Sequence, residues 1–117
     1  MSWKKVRNIH RNVFLGDRIR EADSPSSRLV GLLRTDRLET GEGLWISPCN
    51  GIHSFGMRYE FDVLFLDSRM KVIGLYNRFR KNRISRVFWA ARGVLELPGG
   101  TIETTRTEIG DEIEFQA

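Results

Sequence analysis

Phe61-Asp62-Val63-Leu64-Phe65-Leu66 is apolar at odd and even positions alike, with a single carboxylate inside it. A strand with one wet face alternates, so a run that is apolar at both parities is covered on both faces. It belongs in the middle of a sheet. Asp67-Ser68-Arg69 then turns the chain, and Met70 to Leu75 supplies an antiparallel partner.

Further short strands surround this hairpin. Val6 to Glu21 reads as two, with Val13-Phe14-Leu15 and Arg18-Ile19-Arg20 separated by a Gly16-Asp17 turn. Leu44 to Ser47 is a strand stopped by Pro48. Asn50-Gly51 tolerates positive φ at both positions and predicts a two-residue hairpin turn, with Cys49 facing Ile52 and Pro48 facing His53. Alternation from Ile52 to Arg58 then puts His53, Phe55 and Met57 on one face. Val87 to Ala91 leads into a strand at Val94-Leu95-Glu96-Leu97, ended by Pro98-Gly99-Gly100, and Glu112 to Phe115 alternates as the last strand. One helix is predicted over Ser24 to Arg34. Ser24 caps it, Pro25 suits its first position, and Leu29, Leu32 and Leu33 form one apolar face. Thr101 to Ile109 fits either extended chain or a short helix. The pattern predicts an α+β, mainly β chain: a small barrel-like antiparallel or mixed sheet with one or two short helices.

A length of 117 residues suits one domain, with a core over residues 13–115 behind a basic N-terminal segment, residues 1–12. A single cysteine, Cys49, excludes an internal disulfide and a multi-cysteine metal knuckle. No apolar run has the length of a membrane span, and the first residues lack the apolar stretch of a signal peptide, so the cytoplasm is the expected compartment. The net charge of +4 is local. Lys4, Lys5, Arg7 and Arg11 form one acid-free cluster, and Arg78, Arg80, Lys81, Arg83 and Arg86 form another around Phe79.

Candidate chemistry gathers on the stretch from Cys49 to Asp62. Cys49 and His53 have the composition of a thiolate–imidazole pair; the competing view is a core cysteine and a histidine bonded to backbone. With Met57 they also make a soft ligand set, but their spacing of four aligns only on a helix, so no metal is expected. Asp62 interrupts an apolar strand and needs a partner: Arg58, or turn amides. Glu96 either faces solvent or points into the barrel mouth. Pro98-Gly99-Gly100-Thr101 offers an anion site if a helix starts there; a tight turn is the simpler role. The basic loop over residues 78–86 suits phosphates of nucleic acid or an anionic surface.

Four stretches, in this order and with these gaps, resemble the family called domain of unknown function 192. They are Pro48-Cys49-Asn50-Gly51-Ile52-His53-Ser54-Phe55-Gly56-Met57-Arg58; Phe61 to Asp67; Val94-Leu95-Glu96-Leu97-Pro98-Gly99-Gly100-Thr101; and Ile109-Gly110-Asp111. Arg28-Leu29-Val30-Gly31-Leu32-Leu33 resembles the family's helix signature, and the likeness runs from about Ile19 to Phe115. The resemblance implies a small barrel-like fold and a short helical turn after Pro98-Gly99-Gly100. It implies no reaction. Many members carry a tryptophan and neither cysteine nor histidine in the first motif, so Cys49 and His53 are no family-wide requirement.

The expected function is therefore a non-enzymatic ligand-binding or accessory module without a cofactor. Its site is the hairpin from Cys49 to Asp62, where His53, Met57, Arg58, Asp62 and Glu96 meet a small anionic or polar ligand. The alternatives are binding of nucleic acid or an anionic surface through Arg78, Arg80, Lys81, Arg83 and Arg86, and a small enzyme using Cys49 and His53.

Overall fold

The computed structural model of the chain describes residues 3–22 and 38–117. Among these described residues the strands are β1 (Trp3–Asn8), β2 (Val13–Ala22), β3 (Glu42–Ile46), β4 (Phe61–Leu66), β5 (Val72–Phe79), β6 (Gly93–Pro98) and β7 (Ile113–Gln116), with one short helix, α1 (Thr101–Thr105). They form a single mixed sheet in the order β5-β4-β6-β3-β2-β1-β7. Only β2 and β3 run parallel. The helix expected over Ser24 to Arg34 falls in the crossover between them and lies outside the described residues.

The sheet curls until its two ends touch. Val72 N donates to Asp111 O at 2.9 Å, Gly110 N to Val72 O at 2.8 Å and Ile113 N to Met70 O at 2.9 Å. A Lys71–Glu112 bridge joins the edges at that point. The result is barrel-like and mainly β, as the spacing of strands predicts.

β4 is central, between β5 and β6, and every one of its residues is buried. Leu64 and Leu66 face the barrel interior with Val6, Ile19, Leu95, Leu97 and Ile113, and Ile102 of α1 plugs one end. Phe61, Val63 and Phe65 face the other way, into a second core with Leu44, Ile46, Met57, Phe79 and Val94. Two loops, residues 47–60 and 80–92, contribute to the covering of that second core. The double-sided apolar run in β4 thus reports two cores, one on each side of a single sheet.

Two turn expectations change. Gly16-Asp17 is no turn: both residues lie inside β2, and the chain reverses at residues 9–12 instead. The Asn8 side chain closes that reversal by accepting from His10 N and Arg11 N. Gly16 marks a register shift, where β2 passes so close to the Gly41 carbonyl that an added Cβ would lie 2.8 Å from its oxygen. Asn50-Gly51 is no hairpin turn either. The segment around it pairs with residues 83–92. The basic N-terminal residues form β1, held between β2 and β7.

Asp111 locks the closure. Its carboxylate accepts from Asn8 Nδ2 at 3.0 Å, Arg11 Nε at 3.0 Å and Glu108 N at 2.9 Å, with His10 Nδ1 at 3.4 Å. Burial pushes this carboxyl up, but those hydrogen bonds outweigh it and hold it down, from 3.8 to about 2. A group held below its unfolded value stabilises the fold in full above pH 3.8, and that contribution fades as pH falls towards about 2. Asp111→Asn is expected to cost about 1–2 kcal/mol at neutral pH. In thermal melts, the gap to wild type should close across that acidic window. A gap that stayed constant there would remove the charge from the account.

Candidate functional site

Residues 47–60 and 80–92 form one lobe. Cys49 N donates to Arg92 O, Phe88 N to Asn50 O, Ser85 N to Ile52 O and Ser54 N to Arg83 O. The Ser85 hydroxyl accepts from Ile52 N, and the buried Ser54 hydroxyl accepts from Arg83 N while donating to Arg80 O. A chain whose backbone is committed to residues 83–92 cannot also pair with itself across Asn50-Gly51. This is why the strongest local turn signal in the sequence is overridden. The lobe is seated by Phe88, whose ring lies 4.3 Å from that of Phe65. Gly74 makes room for it: an added Cβ there would fall 2.3 Å from the Phe88 ring.

The side chains expected to form a ligand site are spread over two environments. Met57 is buried in the second core. His53 is exposed, bridged to Ile84 and stacked on Phe55 with ring centroids 5.3 Å apart. His53, Phe55 and Met57 therefore do not share a face. Arg58 is exposed. Cys49 is half-buried, and its thiol donates to Gly51 O at 3.0 Å. Among the described residues no group of three His, Cys, Asp or Glu side chains is arranged to hold a metal ion.

Asp62 is fully buried and accepts three backbone N–H groups: Arg78 N at 2.9 Å, Gly100 N at 3.2 Å and Ile102 N at 2.7 Å. The turn-amide alternative for this carboxylate is the one observed. It also changes the role of Pro98-Gly99-Gly100-Thr101. A helix does start there, but the N–H groups of Gly100 and Ile102 already serve Asp62. The cleft of about 500 Å³ beside it, lined by Phe14, Thr40, Arg78 and Thr101, has no claim on those donors. Glu96 neither faces solvent nor opens into the barrel mouth. It is fully buried on β6, in register between Leu44 and Val63, and so on the face of the second core.

The basic set also divides. β5 continues through Phe79, so Arg78 is a strand residue rather than a loop residue, and its guanidinium lies 3.6 Å from Glu103. Phe79 is buried against Phe61 and Tyr76 and is closed to any partner. Arg80, Lys81, Arg83 and Arg86 are exposed on the lobe. The residues that sequence reasoning missed are their apolar neighbours. Trp89 is 85% exposed, Ile84 72%, Phe55 48% and Val87 47%. Val87 to Ala91 reads as the approach to a strand, because apolarity alone does not distinguish a buried run from a displayed one. The available signal was composition: an apolar run hemmed by Arg83, Arg86 and Arg92 without an acid.

Removing the Asp62 carboxylate leaves three buried or half-buried N–H groups without their acceptor. Asp62→Ala is expected to cost about 2–4 kcal/mol, read as a loss in denaturant midpoint. A neutral substitution would contradict the bonding described. The Cys49 thiol donates to the Gly51 carbonyl, a bond that a thiolate could not make. Cys49 is therefore expected to react with iodoacetamide at neutral pH no faster than a free cysteine thiol, and rapid alkylation would revive the nucleophile reading.

The comparisons with known proteins agree with the fold. The UPF0127 protein of Thermococcus sibiricus is 34% identical over 104 residues, spanning 85% of this chain and 66% of that protein. The chain thus spans about two thirds of that relative's length. The UPF0127 protein of Pyrococcus horikoshii is 30% identical over 116 residues, spanning 94% of this chain and 97% of that one. A crystal structure of a protein of unknown function from Novosphingobium aromaticivorans superposes with a TM-score of 0.76 over 95% of this chain and 82% of the other. A Sinorhizobium meliloti protein, for which a role in transcription regulation has been suggested, gives 0.73 over 96% and 91%. Both are 18% identical to this chain, so the likeness is one of fold alone. The family profile described as Uncharacterized ACR matches residues 6–115, and the chain belongs to this family, DUF192.

Proposed function

We propose that the protein is a non-enzymatic binding module that engages an anionic partner through the lobe of residues 47–60 and 80–92. The observation that carries this is the composition of the lobe's exposed surface. Arg58, Arg80, Lys81, Arg83, Arg86 and Arg92 are all exposed there, and Glu60 is the sole acid in the two segments. A field of one sign on a shaped surface raises the local concentration of oppositely charged partners and speeds encounter. Because the lobe's backbone is already hydrogen-bonded, little ordering has to accompany binding. In this reading His53 and Arg58 of the core motif contribute from the lobe's surface, while Met57, Asp62 and Glu96 support the fold beneath it.

Retention on immobilised heparin against a salt gradient tests the proposal. Arg80→Gln, Lys81→Gln and Arg83→Gln together are expected to lower the eluting salt concentration sharply, since exposed charge interactions are screened within a Debye length of about 8–10 Å. Lys4→Gln with Lys5→Gln serves as the control for net charge and is expected to move elution little. Equal shifts per charge removed, three in one variant and two in the other, would mean that overall charge, not the lobe, does the binding.

A further inference from the structure

We infer that the lobe's partner is an anionic lipid surface, met by Trp89 and Ile84 as an apolar tip within a ring of cations. The inference rests on the anionic-partner reading above and gives it a chemical class.

Three features of the lobe favour lipid headgroups over a polyanion in solution. The first is the kind of apolar group displayed. Trp89 follows Phe88 at a turn closed by Ala91 N donating to Phe88 O, and it is 85% exposed. Ile84 is 72% exposed and Val87 47%. Isoleucine and valine have no π face for a base to stack on, whereas entry into the headgroup region rewards aliphatic and indole surface alike.

The second is the state of the lobe's rings. Single-stranded nucleic acid is held by successive aromatic faces along a groove. Here Phe55 is already stacked on His53, and Phe79 is buried. Phe88 packs on Phe65, and the Arg86 guanidinium lies 5.4 Å from its centroid. Among the Phe, Tyr and Trp side chains of the two loops, Trp89 is the one mostly in solvent.

The third is the bonded backbone. A loop can approach hydrocarbon only if its N–H and C=O groups are satisfied within the protein. Twelve backbone donations hold this lobe. They run from Ser47 N, Cys49 N, Ile52 N, Ser54 N, Met57 N, Asn82 N, Arg83 N, Ser85 N, Arg86 N, Phe88 N, Ala91 N and Arg92 N, all to acceptors within the protein. No helix among the described residues is long and apolar enough to cross a membrane. Contact of this kind is peripheral and needs none.

The test is co-sedimentation with vesicles of phosphatidylcholine alone and of phosphatidylcholine with phosphatidylglycerol. A short single-stranded oligonucleotide is offered separately. Binding is expected to the anionic vesicles and not to the neutral ones. The difference in emission between wild type and Trp89→Phe should shift to the blue on binding. Trp89→Ala with Ile84→Ala should weaken vesicle binding by roughly tenfold or more, since each buried large side chain contributes on that scale. It should leave heparin retention close to wild type. Both side chains are mostly in solvent, so an unchanged melting temperature is expected and confirms the variant as folded. Arg80→Gln, Lys81→Gln and Arg83→Gln should together weaken vesicle binding by about 100-fold, near fivefold per charge.

Vesicle binding that survives the Trp89 and Ile84 substitutions would overturn the inference. So would binding of the oligonucleotide with no binding to vesicles, although the anionic-partner reading would then stand. Loss of specific heparin retention together with vesicle binding would end both.

Discussion

A single carboxylate organises one end of this molecule. Asp62 accepts the N–H groups of Arg78 at the end of β5, Gly100 in the turn after β6, and Ile102 in the first turn of α1. β4 lies between β5 and β6, so Asp62 is the natural point at which their ends are tied together. The helix it seats carries Ile102 into the barrel interior. A buried carboxylate left without donors would be costly, whereas one that accepts charge-assisted bonds from backbone is among the stronger polar contacts available. An apolar residue at this position would strand the three donors. The interruption of the apolar run at Asp62 is therefore a requirement of closing this end, not a blemish in the strand.

At the other closure Asp111 plays the same part with different donors. It gathers Asn8, Arg11 and the Glu108 amide, and so holds the turn after β1 against the turn before β7. Beside it the Asn8 amide also donates to Thr107 Oγ1. Between the two carboxylates the sheet needs no disulfide to stay curled. Its inner face is filled by side chains from all seven strands. Its outer face over β3 to β6 is partly covered by loops, and this arrangement frees the tips of those loops to carry other chemistry. Phe88 faces inward onto Phe65 while Trp89, the next residue, faces solvent.

Much of this was legible in the sequence where local and tertiary signals agree. The double-sided run of β4, its hairpin with β5 at Asp67, and the stop of β6 at Pro98-Gly99-Gly100 all follow from parity and turn chemistry. Asp67 even performs the turn, accepting from Arg69 N and Lys71 N. Legibility ends where a distant segment outbids a local preference. Asn50-Gly51 has the composition of a hairpin turn, but residues 83–92 take the hydrogen bonds. Gly16 has the composition of a turn, but its missing side chain answers the close approach of Gly41. Glu96 could not be placed because β6 is buried on both faces, so parity no longer separates solvent from core. Trp89 was hidden for the opposite reason: a large apolar residue is read as core unless its neighbours argue otherwise.

These outcomes bear on what a family resemblance can deliver. The motif residues with the most distinctive chemistry now have structural work to do. Asp62 seats α1 and the turn before it, Asp111 locks the curl, and Gly99-Gly100 make the turn that presents amides to Asp62. Ser54 pins the basic loop through its hydroxyl. Recognising those motifs is recognising the fold, which is why the resemblance carried an architecture and no reaction. The lobe's exposed surface combines two sources. Pro48 to Arg58 supplies the motif half, with His53, Phe55 and Arg58 turned outward. Residues 80–92 supply the other half, including every exposed cation of the lobe except Arg58 and its most exposed apolar side chains. A surface built by pairing a motif segment with a loop outside the motifs can keep its frame while its chemistry changes. In this chain that chemistry is guanidinium around indole and isoleucine.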